Sequence, residues 1–171
     1  MPESRPAMHD AMVAAVQAAG AEVVPISEAS ALMWADPAAA DAFPGVVAQA
    51  PHLEWVQLPY AGIENFADQL DPNLMWTCGK GVYADPVAEH IIALTLAGFR
   101  HLHEAIPATS WPEQRGKNLL GATVTVIGAG GITESLLNLL KPWNTKVRVV
   151  RRTAKPMPGV DETIALSLIH I

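Results

Sequence analysis

Residues 124–133, VTVIGAGGIT, constrain the fold of this chain more than any other segment. A run of apolar and β-branched residues ends at Gly128, and a helical pattern of apolar residues follows Gly131. Glycines at such a point permit a tight turn and let the backbone approach a phosphate, while the first amides of the next helix point at that anion. The pattern therefore predicts a strand, a turn and a helix that bind a dinucleotide through Gly128, Ala129, Gly130, Gly131 and Ile132.

The match to the Gly-x-Gly-x-x-Gly pattern is incomplete, because Thr133 stands where the third glycine is expected. That position governs the close packing of helix on strand more than contact with phosphate. The departure weakens the match without cancelling it. A simple turn is the alternative interpretation, and the position of the glycines between a strand and a helix favours nucleotide binding.

The residues after the next predicted strand bear on the choice of nucleotide. An NAD site of this type usually has Asp or Glu about 20 residues beyond the glycines, where it holds the ribose hydroxyls. This chain has Arg151, Arg152 and Thr153 there. Guanidinium groups cannot accept protons from those hydroxyls, but they bind a 2′-phosphate well. We therefore expect NADP to be preferred over NAD, and a solvated basic loop is the alternative.

Apolar periodicity and turn residues predict alternating strands and helices in both halves of the chain. Strands are predicted at residues 21–26, 31–34, 53–58, 74–78, 123–127 and 146–150. Helices are predicted at residues 8–19, from Asp36-Pro37 onward, from Asp85-Pro86 to about residues 103–106, and at residues 132–140. This alternation is typical of an α/β fold with mainly parallel sheets, and the polar segment 107–118 is the predicted crossing between two domains.

Composition excludes several classes of protein. Half of the residues are apolar and 16% are charged, which suits a globular chain rather than a disordered one, and no apolar stretch has the length of a membrane span. Cys78 is the single cysteine, so an intrachain disulfide is excluded and the cytoplasm is the expected compartment. Residues 1–99 carry two basic and twelve acidic side chains, whereas residues 100–171 carry nine basic and five acidic ones. Without a basic run, this excess suits a phosphate-bearing small ligand better than a nucleic acid.

Three further segments belong to one recognisable arrangement. They are LEWVQLPYAGIE at residues 53–64, VAEHIIAL at residues 87–94 with the helix continuing to Arg100, and LLGATV at residues 119–124 leading into the glycine turn. In order and spacing these segments resemble the D-isomer-specific 2-hydroxyacid dehydrogenase family, and the resemblance extends over about residues 10–165.

The resemblance implies a flavodoxin-like substrate domain, residues 1–105, followed by the start of a Rossmann-type doubly wound nucleotide-binding domain, residues 106–171. It implies hydride transfer between a nicotinamide cofactor and a small 2-oxo or 2-hydroxy acid. It also implies that the turn Tyr60, Ala61 and Gly62 lines the interdomain cleft and offers backbone amides to the substrate carboxylate, with a plain turn as the alternative. Relatives usually pair through the nucleotide domain, so the complete protein is expected to be a homodimer.

No catalytic residue is assigned within the chain. The family places its substrate-binding Arg, an acidic residue and the catalytic His late in the nucleotide domain, and we expect all three beyond Ile171. No histidine of the sequence matches the position of the proton donor. His101 and His103 are two residues apart, so on one helix they would point to different faces, and no metal site is expected.

The chain is therefore interpreted as a truncated and inactive member of the family, or as one that carries a non-native C-terminal tail. Two other interpretations remain open. One is a dinucleotide-binding or interaction module without enzymatic activity on the same fold, since fold alone does not establish activity. The other is a different Rossmann-type enzyme such as a methyltransferase, which Arg151 and Arg152 disfavour because a ribose site there would need a carboxylate.

Overall fold

The computed structural model describes residues 6–111 and 113–166, and these form two compact units that divide between Lys80 and Gly81. Each unit has its own three-stranded parallel sheet. The prediction of an α/β fold with parallel sheets is confirmed. The long helix after residue 81 belongs to the second unit, whereas the sequence places the domain boundary after residue 105. The division into domains at residues 1–105 and 106–171 stays a prediction.

The first unit begins with a helix and continues with short strands joined by 3₁₀ segments. Its helices and strands are α1 (Pro6–Ala18), β1 (Ala31–Met33), α2 (Phe43–Val47), β2 (Trp55–Leu58) and β3 (Met75–Cys78). Its 3₁₀ segments are Ile26–Glu28, Pro37–Ala42 and Glu64–Gln69. The strands lie in the order β1-β2-β3. The Asp36 carboxylate accepts a hydrogen bond from the Ala38 amide at 2.9 Å, so the predicted cap is present and starts a 3₁₀ segment.

Aromatic side chains dominate the core of the first unit. Phe43 is 2% exposed, and its ring meets those of Trp34 and Phe66 edge to face, with centroids 5.2 and 5.6 Å apart. The centroid of the Trp76 ring lies 5.8 Å from that of Phe43, with the two rings tilted to each other. Val56 of β2 is fully buried and belongs to the same core cluster. The short strands are thus stabilised by large rings that contribute much apolar area per residue.

The second unit contains longer elements. They are α3 (Ala84–Phe99), α4 (Leu102–Ala105), β4 (Thr123–Ile127), α5 (Gly131–Leu140), a 3₁₀ segment (Lys141–Trp143), β5 (Lys146–Arg151) and β6 (Glu162–Ala165). The strands lie in the order β4-β5-β6. The core is aliphatic, with Val149 fully buried among leucines of α5, and Ala88 of α3 belongs to the same cluster. Because α3 packs on α5, the long helix shares its core with this sheet.

The start and the end of α3 differ from the prediction. The helix begins at Ala84 after Tyr83, and Asp85 lies inside its first turn, where its carboxylate accepts a hydrogen bond from the Ser135 hydroxyl at 2.6 Å. It ends at Phe99, before the predicted end, because His101 adopts a left-handed conformation with φ of 50°. A new short helix, α4, starts at the next residue. The polypeptide therefore changes direction at His101.

Two further segments differ from the expected pattern. The strand predicted at residues 21–26 is wrong, since that segment is irregular and ends in a 3₁₀ turn, with Val23 half exposed. β6 was not predicted, and its Ile164 and Ala165 belong to the apolar end that was interpreted as non-native. Residues 167–171 lie outside the described residues. No helix in the described ranges is long and apolar enough to cross a lipid bilayer.

Candidate nucleotide-binding site

The glycine turn joins β4 to α5, as the sequence predicts. Gly128 follows the last residue of β4, and its amide donates a hydrogen bond to the Val150 carbonyl oxygen of β5 at 2.8 Å. Its φ is 107°, a conformation that residues with a Cβ atom rarely adopt. The backbone can therefore leave the sheet abruptly at Gly128 and turn into the helix.

Open space lies around the glycines of the turn. A Cβ atom built on Gly128 or on Gly130 would meet no other atom within 4 Å, and Ile127 is 80% exposed. Gly130 is the residue before the first residue of α5, and no side chain caps this helix end. The first amides of a helix lack intrahelical acceptors and lie at the positive end of its dipole. The turn therefore offers backbone donors and room for an anion.

Thr133, at the position of the missing third glycine, is buried and hydrogen-bonded to the glycine turn. It is 6% exposed, and its hydroxyl donates a hydrogen bond to the Gly128 carbonyl oxygen at 3.2 Å. This bond ties the first turn of α5 back to the glycine turn. The sequence identified the position as one of close packing, and the structure adds the hydrogen bond that lets a threonine occupy it.

Arg151, Arg152 and Thr153 lie at the same edge of the sheet as the glycine turn. Ile127 pairs with Val150 in the parallel register of β4 and β5, so Arg151 is level with Gly128. Arg152 and Thr153 are exposed. Within residues 6–111 and 113–166, neither arginine forms an ion pair with a carboxylate. The guanidinium charges at this edge thus remain available to an external anion.

Tyr60, Ala61 and Gly62 lie at the carboxyl edge of the other sheet, beyond the end of β2. The Tyr60 carbonyl oxygen accepts a hydrogen bond from the Gly79 amide at 3.1 Å, which connects this turn to the one after β3. Ala61 and Gly62 are exposed. In parallel α/β sheets, ligands bind outside the carboxyl ends of the strands. The role of this turn in substrate binding stays a prediction.

A small cavity lies in the loop between β5 and β6, a feature that the sequence did not indicate. Its volume is about 240 Å³. It is lined by Ala154, Pro156, Met157, Val160, Asp161 and Thr163. Pockets for drug-sized ligands and cofactors have about 300–1,000 Å³, so this cavity cannot enclose a dinucleotide. The open turn, not this cavity, is the candidate site.

The expectation that His101 and His103 point to different faces is wrong. It assumed one continuous helix, but His101 has left-handed backbone geometry and precedes α4. Their rings therefore lie 6.1 Å apart, and both face the Glu104 carboxylate. A left-handed histidine leaves no clear signal in a single sequence, so this arrangement could not have been predicted from residue spacing.

Among curated proteins, one relative is similar in sequence to a large part of this chain. A protein encoded in the proB 3′ region of Corynebacterium melassecola, described as uncharacterized, is 39% identical over 124 residues, which are 67% of this chain and 40% of the relative. No family model matches the sequence. The relative's description names no activity, so it adds none to this chain.

Solved structures share the fold. A D-isomer-specific 2-hydroxyacid dehydrogenase family protein from Aeromonas salmonicida superposes with a TM-score of 0.76 at 23% identity, over 95% of this chain and 56% of that one. A D-isomer-specific 2-hydroxyacid dehydrogenase from Xanthobacter autotrophicus, solved with NADPH and MES, gives a TM-score of 0.61 at 21% identity, over 84% and 45% of the two chains.

This chain spans about half the length of those two proteins. The likeness extends over nearly all of its own residues and includes both parallel sheets. The resemblance inferred from the sequence is thus confirmed at the level of architecture: the chain has the fold of the D-isomer-specific 2-hydroxyacid dehydrogenases.

Proposed function

We propose that the chain is part of an NAD(P)-dependent oxidoreductase of the D-isomer-specific 2-hydroxyacid dehydrogenase family. The observation that carries this proposal is the unobstructed glycine turn between β4 and α5. The fold shared with dehydrogenases, one of them solved with NADPH, supports it. The bound nicotinamide cofactor would supply the hydride that is exchanged with C2 of a small 2-oxo or 2-hydroxy acid.

In this proposal the backbone of the turn holds the diphosphate of the cofactor. Gly128 directs the chain out of the sheet, and the amides of residues 129–132 donate to phosphate oxygens. The absence of side chains at Gly128 and Gly130 keeps that space free for the ligand. Donors fixed in the backbone need no reorganisation on binding, and the dipole of α5 adds a favourable potential.

The proposed preference for NADP over NAD rests on charge. Arg151 and Arg152 stand where an NAD-specific site usually has a carboxylate, and Thr153 adds a hydroxyl beside them. A guanidinium group forms two parallel hydrogen bonds to a phosphate, which gives both affinity and orientation. The position of Arg151 level with Gly128 suits a ribose phosphate extending from the diphosphate.

The substrate is proposed to be a small 2-oxo or 2-hydroxy acid whose carboxylate accepts hydrogen bonds from the backbone of Tyr60, Ala61 and Gly62. The substrate domain would be residues 1–105 and the nucleotide domain would begin at residue 106. No histidine here matches the family's proton donor, so the 171 residues alone are expected to bind nucleotide without reducing a 2-oxo acid. The complete protein is proposed to be a cytoplasmic homodimer.

Titration with NADPH and NADH, followed by nicotinamide fluorescence, tests the site. Gly130→Val would place a branched side chain in the space reserved for the diphosphate, and the φ of −99° at Gly130 tolerates it. We expect both nucleotides to bind at least tenfold more weakly, on the order of a lost charge-assisted contact. Gly45→Val is the matched control, since Gly45 also has open space, and binding should not change. Full affinity in Gly130→Val would exclude the turn as the site.

The same titration tests the choice of nucleotide. Arg151→Gln combined with Arg152→Gln should weaken NADPH about tenfold or more and leave NADH within about twofold. Lys155→Gln is the control, because it removes one positive charge from the same loop. If wild-type protein binds NADH as tightly as NADPH, the preference for NADP is wrong while the turn remains a nucleotide site.

A further inference from the structure

A cluster of potential metal ligands lies where the chain changes direction after α3. His101, His103 and Glu104 each offer one ligand atom, and these atoms all lie within 4.8 Å of one another. The cluster is separate in sequence from both the glycine turn and Tyr60. It is not used by the proposed oxidoreductase function.

The distances in the cluster match metal coordination better than hydrogen bonding. His101 Nδ1 lies 3.5 Å and His103 Nε2 lies 3.3 Å from the same atom, Glu104 Oε1. Good hydrogen bonds between nitrogen and oxygen have about 2.7–3.2 Å. Ligands about 2.0–2.2 Å from a tetrahedral ion, in contrast, lie about 3.4 Å from each other. The two separations from Glu104 Oε1 thus match the edges of a tetrahedron around one ion, and all three ligand atoms lie within 4.8 Å of one another.

The backbone explains why these side chains converge. His101 has φ 50° and ψ 40°. It follows Arg100, the C-cap residue of α3, and is itself the N-cap residue of α4. The amides of Glu104 and Ala105 donate to the His101 carbonyl oxygen at 3.0 and 3.1 Å. Histidine enters the left-handed region more readily than most residues with a side chain. This reversal brings His101 over the first turn of α4, which carries the other two ligands.

A second contact orients the carboxylate. The Arg115 guanidinium forms an ion pair with Glu104 Oε2 and leaves Oε1 to the histidines. Arg115 is brought there because the next residue, Gly116, lies against the end of α3: a Cβ atom at Gly116 would lie 2.5 Å from the Phe99 carbonyl oxygen. The Lys117 amide donates to that same oxygen at 3.0 Å. Partners that orient a ligating carboxylate in this way are common around metal ions.

We propose that His101, His103 and Glu104 bind a divalent transition-metal ion of the Zn²⁺ type, with water as the fourth ligand. Two imidazoles and one carboxylate form a three-ligand set known for zinc, whereas Mg²⁺ and Ca²⁺ require mainly oxygen ligands. The positive charge of Arg115 repels any cation at the cluster, so an ion held by electrostatic attraction alone would bind weakly. For zinc-like ions, coordination bonds to the imidazole nitrogens outweigh this repulsion. The ion would connect the end of α3 to α4.

Calorimetric titration of the untagged 171-residue chain with ZnCl₂ tests the proposal. Wild-type protein should bind one ion per chain at the cluster, and Co²⁺ should give the visible absorption of a tetrahedral complex. His103→Ala and Glu104→Gln should each weaken binding at least tenfold and abolish that absorption. His9→Ala is the matched control, because His9 also contacts a carboxylate, Asp10 at 3.1 Å, but belongs to no group of three potential ligands among the described residues. This control should bind like wild type.

His101→Gly separates loss of a ligand from loss of structure. Glycine adopts the left-handed conformation without strain, so the metal-free variant should melt at or above the wild-type temperature. Its zinc affinity should nevertheless fall at least tenfold, and excess Zn²⁺ should raise the melting temperature of wild type but not of this variant. Wild-type affinity in both His101→Gly and Glu104→Gln would overturn the proposal and leave Glu104 as the centre of an exposed ion-pair cluster.

Discussion

The two parallel sheets differ at their carboxyl edges, although both have their strands in sequential order. In the first unit, the turns after β2 and β3 touch, and a Cβ atom at Gly79 would lie 2.7 Å from the Pro59 carbonyl oxygen. In the second unit, the turn after β4 has open space around Gly128 and Gly130. At Gly79 the two turns of the first edge are packed backbone against backbone, whereas the glycine turn of the second edge has room for an additional group.

The two units also differ in the type of helix that follows their strands. β1 and β2 lead into 3₁₀ segments, Pro37–Ala42 and Glu64–Gln69, whereas β4 leads into the regular ten-residue helix α5. An α-helix of this length presents its first amides together and has an appreciable dipole, which a short 3₁₀ segment does not. A parallel sheet alone therefore does not offer the helix N-terminus that a diphosphate needs, because a regular helix and an open glycine turn must accompany it.

The largest effect is expected in the core of the first unit. Phe43→Ala removes a ring that is 2% exposed and contacts Trp34 and Phe66, so the free energy of unfolding should fall by about 3–5 kcal/mol. Urea denaturation followed by circular dichroism measures the change. Trp111→Ala is the control, since Trp111 is 88% exposed and should change stability little. A similar loss in both variants would show that the aromatic cluster does not hold this unit together.

An intermediate effect should distinguish the closed edge from the open one. Gly79→Ala forces a Cβ atom against the Pro59 carbonyl oxygen, so the backbone must shift, at a cost of about 1–3 kcal/mol. Gly130→Ala meets no atom within 4 Å and should change the free energy of unfolding by less than about 0.5 kcal/mol. Thermal unfolding of both variants measures the difference. Equal losses of unfolding free energy in the two variants would show that the two edges are packed equally tightly.

The smallest effect concerns the residue that replaces the third glycine. Thr133→Val keeps the volume but removes the hydroxyl that donates to the Gly128 carbonyl oxygen, so stability should fall by about 0.5–1.5 kcal/mol. The exposed Thr125 of β4 provides the control, Thr125→Val, which should have little effect. Denaturant titration measures both. An unchanged Thr133→Val variant would mean that packing alone, and not the hydrogen bond, lets threonine replace glycine.

Most elements of the second sheet could be predicted because their signals are local. β4 matches the predicted residues 123–127, and α5 and β5 differ from their predictions by one residue at one end. Apolar periodicity, the glycines and Pro142 suffice for these elements. The strand predicted at residues 21–26 failed because an apolar run is also compatible with an irregular segment that has no neighbouring strand. β6 was missed because its four residues form a strand only through pairing with β5.

The candidate site was predictable in part for the same reason. The glycine turn and Arg151 follow from motif and spacing, since consecutive parallel strands bring their ends to one edge. The Thr133 hydrogen bond and the convergence of His101 with Glu104 could not be predicted. Both depend on backbone dihedral angles at single residues, and many residue types tolerate those angles when the surrounding structure requires them.

The sequence by itself determined the alternation of strands and helices, the parallel sheets and the position of the glycine turn, because these depend on periodicity and on residues whose backbone freedom is unusual. Only the tertiary structure decided that space remains above Gly130, that the edge near Gly79 is closed and that two histidines share a carboxylate. The packing at Gly79 depends on segments far apart in the chain, and the shared carboxylate depends on the left-handed backbone of His101, neither of which local residue preferences set.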